Sequence, residues 1–85
     1  MAKVNFKDIK IKDINGKEVV ADFQQQIGNQ LYMQGHGIEE CELGKKIYFA
    51  KGEVELSEKE VDMVRRITAG YSYVARQGIE EAMKE

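Results

Sequence analysis

The chain contains no proline. The commonest marker of a linker is therefore missing, and glycine is left to punctuate the sequence. Cysteine and histidine occur once each. The lone Cys41 cannot close an internal disulfide, so the composition suits a reducing compartment such as the cytoplasm. No apolar run approaches the ~20 residues that span a bilayer. The opening Met1–Phe6 lacks the apolar stretch of a secretory leader, so neither a membrane segment nor a signal peptide is expected. An excess of one charge is also absent: 13 Lys+Arg stand against 15 Asp+Glu, for a formal net charge of −2. That balance argues against broad electrostatic binding to nucleic acid or to an anionic membrane.

What is present suits one small domain spanning residues 1–85. Apolar residues make up 42 % of the chain, enough for a single core but not for two at this length. A net stability of about 4–13 kcal/mol follows from the per-residue range of globular domains.

The sharpest local signal is Leu56-Ser57-Glu58-Lys59-Glu60-Val61. Ser57 and Glu60 have the spacing of a capping box, with Leu56 and Val61 placed as a hydrophobic staple. A helix is predicted from Glu58 to about Met83. Its stripe is Val64, Ile67, Tyr71, Val74, Ala75, Gly78 and Ala82, bordered by Val61, Thr68 and Ile79. Gly70 and Gly78 each cost such a helix roughly 1 kcal/mol relative to Ala. Gly78 lies inside the stripe, where it permits the close approach of another backbone.

Upstream, residues 4–20 read as a β-hairpin turning at Asn15-Gly16, with a type I′ turn expected. Val4 and Phe6 are out of phase with Ile9 and Ile11. One buried face cannot serve both pairs, so a bulge or break is expected near Lys7-Asp8. Asp22, with Gln25 as reciprocal partner, is expected to cap a helix that carries Phe23, Ile27 and Leu31 on one face and glutamines on the other. Gly35-His36-Gly37 ends it. A second helix runs from Ile38 or Glu39 to Ala50, with a Glu42–Lys46 pair at i,i+4 and Gly52 as its C′ residue. Val54 and Leu56 supply a third short strand, which a lone hairpin needs. The expected fold class is α+β: an N-terminal antiparallel hairpin, with a possible third strand, packed on two or three helices, the last being longest.

Chemistry-bearing residues are sparse. A metal site needs three or four ligands, and His36 and Cys41 have no partners at ligand spacing. His36 reads as an exposed loop residue and Cys41 as a small hydrophobe on an apolar helical arc. Gly35-x-Gly37 lacks the Gly-Lys-Ser/Thr that follows in a phosphate loop. The acids Glu39, Glu40 and Glu42 read as a solvated first turn of helix. No catalytic, cofactor-binding or metal-binding residue is assigned, and an enzyme is not expected.

Two surface features remain. On an unbroken last helix, Tyr73 falls on the polar face with Arg65, Arg66 and Arg76 around it, the composition of an interaction hot spot. The same residues could instead stack on a single-stranded base, or be spent in Asp62–Arg66 and Glu80–Arg76 pairs. The apolar arc of that helix, about 160° wide, exceeds the ~100° of an ordinary surface helix. Either the rest of the chain covers it, which is preferred, or a second copy does.

The lysine-rich hairpin with its Asn15-Gly16 turn, the Leu43-Gly44-Lys45-Lys46-Ile47-Tyr48 helix and the Gly52–Val61 step together resemble small uncharacterised proteins of phage and prophage gene clusters. The resemblance covers residues 38–85 and, more weakly, the hairpin. It implies an accessory role in virion assembly or host modulation and brings no catalytic residues. The expected function is a non-enzymatic protein-interaction module, binding a protein partner or itself through Arg65, Arg66, Tyr73 and Arg76. A nucleic-acid-binding or regulatory protein is the alternative.

Overall fold

The computed structural model describes residues 2–84 and has an α+β architecture. Eight elements follow one another: β1 (Ala2–Val4), β2 (Ile9–Lys12), β3 (Glu18–Ala21), α1 (Gln24–Gln34), α2 (Ile38–Tyr48), β4 (Val54–Leu56), α3 (Glu58–Ile67) and α4 (Tyr73–Ala82). The strands form two separate antiparallel pairs, β1 with β4 and β2 with β3.

The phase conflict in the first strand is resolved by a break. Asn5 to Asp8 is a turn, in which the Asp8 amide donates to the Asn5 carbonyl at 3.0 Å and the Lys7 amide to Asn5 Oδ1 at 3.1 Å. Val4 faces the core before the turn, Phe6 within it and Ile9 after it, because β1 and β2 belong to different sheets. The third strand, Val54–Leu56, pairs with β1 in the register Ala2↔Leu56, Val4↔Val54. All four of these side chains are buried.

The β2–β3 turn differs from the expected one. Gly16, at φ 80°, is alone among the described residues in having positive φ. A type I′ turn would put Asn15 there as well. The loop is instead three residues long, Ile14–Gly16, closed by Asp13 N–H to the Lys17 carbonyl at 2.9 Å and braced by Asp13 Oδ1, which accepts from the Asn15 and Lys17 amides. An aspartate before such a loop turns its side chain onto amides of the loop, as in an Asx turn.

The capping box at Ser57 is present: Ser57 Oγ accepts from the Glu60 amide at 3.2 Å and Glu60 Oε1 from the Ser57 amide at 2.9 Å. The helix it starts is shorter than expected. It ends at Ile67, and α4 begins at Tyr73, so the C-terminal helix is not the longest; α1 and α2, at 11 residues, are. The cause lies in residues 68–72. Thr68 turns its hydroxyl back onto the Val64 carbonyl at 2.8 Å, Gly70 follows, and Ser72 starts a new helix by accepting from the Ala75 amide. Thr68 and Ser72 offer the backbone local partners that compete with a continuous helix.

Gly78 performs the role expected of it. A Cβ there would stand 2.7 Å from the Lys10 carbonyl oxygen and 3.1 Å from Ile11 Cγ1. Only a bare backbone lets α4 lie this close to β2. Val74, by contrast, is 48 % exposed, on a helix that the break separates from α3.

Two glutamines of α1 act as ties rather than as a solvated face. Gln24 is buried, and its Nε2 donates to the Tyr48 carbonyl at 3.0 Å and to the Ala50 carbonyl at 2.7 Å. It thereby satisfies carbonyls at the end of α2, where a helix has orphan acceptors. This replaces the expected Gly52 cap. Gln30 does the same for α3: its Nε2 donates to the Ile67 carbonyl at 2.8 Å and its Oε1 accepts from Tyr71 Oη at 2.6 Å. At the start of α1, Asp22 Oδ1 accepts from the Gln24 amide at 3.0 Å, in place of a reciprocal box with Gln25. One cluster of buried side chains joins all of this, including Phe6, Ile9, Ile27, Leu31, Leu43, Ile47, Leu56, Val64 and Ile79.

Candidate functional site

Helices α1 and α2 cross through glycine. A Cβ on Gly28 would stand 2.9 Å from Tyr48 Cβ and 3.0 Å from the Gly44 carbonyl oxygen; one on Gly44 would stand 2.7 Å from the Gly28 carbonyl oxygen and 2.9 Å from the Tyr32 amide. Both glycines are buried in helix interiors, where glycine costs about 1 kcal/mol relative to alanine. The contact offsets that cost by letting the two backbones touch.

The side chains flanking the crossing have no room between the helices and are directed to its rim. Tyr32, Tyr48 and Phe49, with Asn29 and Lys45, line an open groove of about 290 Å³ floored by Gly28 and Gly44. Tyr48 and Phe49 meet edge to face at 5.0 Å between ring centroids. Lys45 Nζ stands 5.9 Å from the Tyr32 ring centroid, a cation–π distance. Phe49 is 74 % and Tyr32 48 % exposed. Phe49 follows the last residue of α2, held at this corner because Gln24 ties the carbonyls on either side of it.

The residues expected to form a binding face lie on two helices, Arg65 and Arg66 on α3 and Tyr73 and Arg76 on α4. Arg65 spans the break. Its Nε and Nη2 donate to Glu80 at 2.7 and 3.2 Å, and its Nη1 to Asp62 at 3.2 Å. The Glu80 hydrogen bonds and charge, with a lesser contribution from Asp62, hold the Arg65 guanidinium above its ordinary pKa. These contacts replace the expected Asp62–Arg66 and Glu80–Arg76 pairs. Arg66 is exposed at the end of α3 and makes no ion pair among the described residues. Tyr73 and Arg76 stay together on α4: the guanidinium carbon lies 6.0 Å from the ring centroid, Gln77 Nε2 donates to Tyr73 Oη at 2.7 Å, and Tyr73 is 67 % exposed.

Two of the three acids of α2 are engaged in ion pairs. Glu39 meets Lys59 at 2.7 Å and Glu42 meets Lys45 at 3.8 Å, while Lys46 reaches Glu60 at 3.5 Å instead of Glu42. Cys41 is half-buried and its Sγ lies 3.6 Å from the Tyr32 carbonyl oxygen; His36 is exposed. Among the described residues no three His, Cys, Asp or Glu side chains gather as a metal site would require. No helix among them is long and apolar enough to cross a membrane.

Sequence reading missed the groove. Two helical glycines, Gly28 and Gly44, were its available signal, since an interior glycine in a helix calls for a packing reason. No family model matches this chain, and no curated protein or solved structure matches it.

Proposed function

We propose that the protein is a non-enzymatic protein-interaction module whose principal contact is the α1–α2 aromatic groove. The observation that carries this reading is the exposure of Tyr32 and Phe49 beside Tyr48 at a rigid helix crossing. Aromatic side chains on a fixed frame supply large contact area at little entropic cost, which is why they dominate interface hot spots. Lys45 adds one cation at the rim and favours a partner that brings an acidic residue beside its apolar anchor. The groove offers no carboxylate, no cysteine, serine or histidine, and no base paired with Lys45, which supports binding over catalysis. The Tyr73–Arg76 pair on α4 is a smaller second contact of the same composition.

The resemblance to proteins of phage gene clusters supports an accessory role, in assembly or in modulating a host protein. A partner captured from the native host lysate provides the test. Replacing Tyr32 and Phe49 together by Ala removes capture and shifts the thermal midpoint by no more than a few degrees, because Phe49 is largely and Tyr32 about half exposed. Replacing Tyr73 and Arg76 weakens capture less. If capture survives the first pair and is lost with the second, the contact surface is α4 and the groove assignment is wrong.

A further inference from the structure

The β2–β3 hairpin has two outer edges, and they are treated differently. Asp13 and Lys17 form a hydrogen-bonded pair at the turn. In an antiparallel ladder such pairs alternate with non-bonded ones. With the register Ile11↔Val19, Lys10↔Val20, Lys12↔Glu18, the amide and carbonyl of Val19 therefore point at β2, whereas those of Glu18 and Val20 point outward. On the opposite edge the Lys10 carbonyl also points outward, and there α4 closes the edge with Gly78 set against it. Nothing closes the β3 edge: among the described residues no group outside the ladder hydrogen-bonds Glu18 or Val20. Natural edges are blunted by lysine, proline, bulges or a covering helix. This one carries Val19, 48 % exposed, and Val20, 58 % exposed, side by side.

We infer that the β3 edge is a self-association site, at which a second copy adds its own β3 antiparallel to build a four-stranded sheet. A two-fold axis that makes strands antiparallel stands perpendicular to the sheet, so facing residues must have numbers with an even sum. The outward groups at 18 and 20 leave three registers. Centring on Glu18 sets Glu18 against its own copy. Centring on Val20 sets Glu18 against the second copy's Asp22, twice. Both appose like charges. Centring on Val19 is free of this. Glu18 then exchanges two backbone hydrogen bonds with the second copy's Val20, and the symmetric pair exchanges two more. Val19 meets Val19 at the axis as a non-bonded pair, with Cα atoms ~4.5 Å apart.

Side chains agree with that register on both faces. Ile11 and Val19 lie opposite each other in the hairpin, so the row across four strands reads Ile11, Val19, Val19, Ile11, all apolar. On the other face Glu18 lies between Lys12 of its own chain and the second copy's Val20. The two α4 helices do not collide. Each lies over the outer side of its β2, and the two β2 strands are about 14 Å apart, three strand spacings. The surface involved is small, so the dimer is a weak one that forms with concentration.

Molar mass by light scattering, from ~10 µM to ~1 mM, covers micromolar to millimolar dissociation constants. The expected result is a rise from 9.7 kDa toward twice that value; a constant 9.7 kDa overturns the inference. Val20→Pro removes only the outward N–H, leaves the ladder to β2 intact and should weaken association at least tenfold. Circular dichroism confirms that the monomer remains folded. Val19→Lys, at a half-exposed position, provides a second disruption if the proline variant does not fold. Unchanged association in a folded variant overturns the site. The register has its own test in a Cys41→Ser background under a glutathione redox buffer. Val19→Cys should cross-link across the axis, since ~4.5 Å between Cα atoms lies within disulfide range. Val20→Cys should not, because its copies lie ~9 Å apart, two residues out of register. Equal or preferred cross-linking at Val20 overturns the register.

Discussion

The two strand pairs have the same antiparallel ladder and opposite surroundings. In β1–β4 every inward side chain, Ala2, Val4, Val54 and Leu56, is buried, and Lys3 and Glu55 face each other outside. In β2–β3 only Ile9 is fully buried, Ile11 is half-buried, and β3 is exposed along Glu18–Val20. Main-chain hydrogen bonds therefore do not distinguish the structural pair from the peripheral one. Cover does: β4 runs directly into α3 and the central core, while the hairpin is held by α4 along one edge. A strand pair held on one side has surface to spare for a partner, and both valines of β3 are part of that surface.

The contrast can be broken most decisively in the core. Leu56→Ala should cost about 2–5 kcal/mol in urea denaturation, by lost burial and the cavity left behind. Val20→Ala at low protein concentration should stay within ~0.5 kcal/mol. A cost above 1 kcal/mol for Val20→Ala would place the hairpin in the core and remove the distinction. Next in size is Gly78→Ala, in which the new methyl meets the Lys10 carbonyl oxygen 2.7 Å away and must push α4 from β2. A loss of about 1–3 kcal/mol is expected, with faster amide exchange over Lys10–Lys12. Gly70→Ala is its control: nothing lies within 4 Å and its φ is not in the left-handed region, so that change should be neutral or slightly stabilising. Smaller again is Ser57→Ala, which opens the capping box and should cost about 1 kcal/mol; a loss below a few tenths would detach the α3 start from its cap.

Sequence reading succeeded where a signal is local and has one physical cause. The Ser57–Glu60 box, the break demanded by the phase of Val4 and Phe6 against Ile9, and the close approach at Gly78 each follow from one steric or hydrogen-bonding requirement. It failed where two local preferences compete. The stripe from Val64 to Ala82 is continuous on paper, but Thr68 and Ser72 draw the backbone into local hydrogen bonds and split it. A helical wheel that gathers Arg65, Arg66, Tyr73 and Arg76 crosses that split, so its phase relation between the α3 arginines and the α4 pair does not hold. The aromatic groove was illegible for another reason. Its rims come from α1 and α2, and nothing in Tyr32 or Phe49 taken singly shows that Gly28 and Gly44 bring their helices into contact.

The smallest effect concerns the joint between these regions. Tyr71 lies in the split, with its ring 5.8 Å from Phe23 and its hydroxyl on Gln30. Burial raises the phenol above its ordinary pKa of 10.0. The sign follows from linkage: the folded chain keeps the proton that the unfolded chain gives up near pH 10, so the stability owed to neutral Tyr71 is complete below that pH. It is lost as pH rises through the folded pKa. Other tyrosines and the lysines titrate in the same window, so the measurable quantity is a difference between two proteins. Tyr71→Phe retains the ring packing and cannot ionise. Its stability should fall less steeply above pH 10 than that of the parent, the two curves running parallel from pH 6 to 9. Parallel curves above pH 10 as well would mean that the phenolate leaves the joint for solvent at no cost. The contact between α1 and the start of α4 would then be as loosely held as the β3 edge.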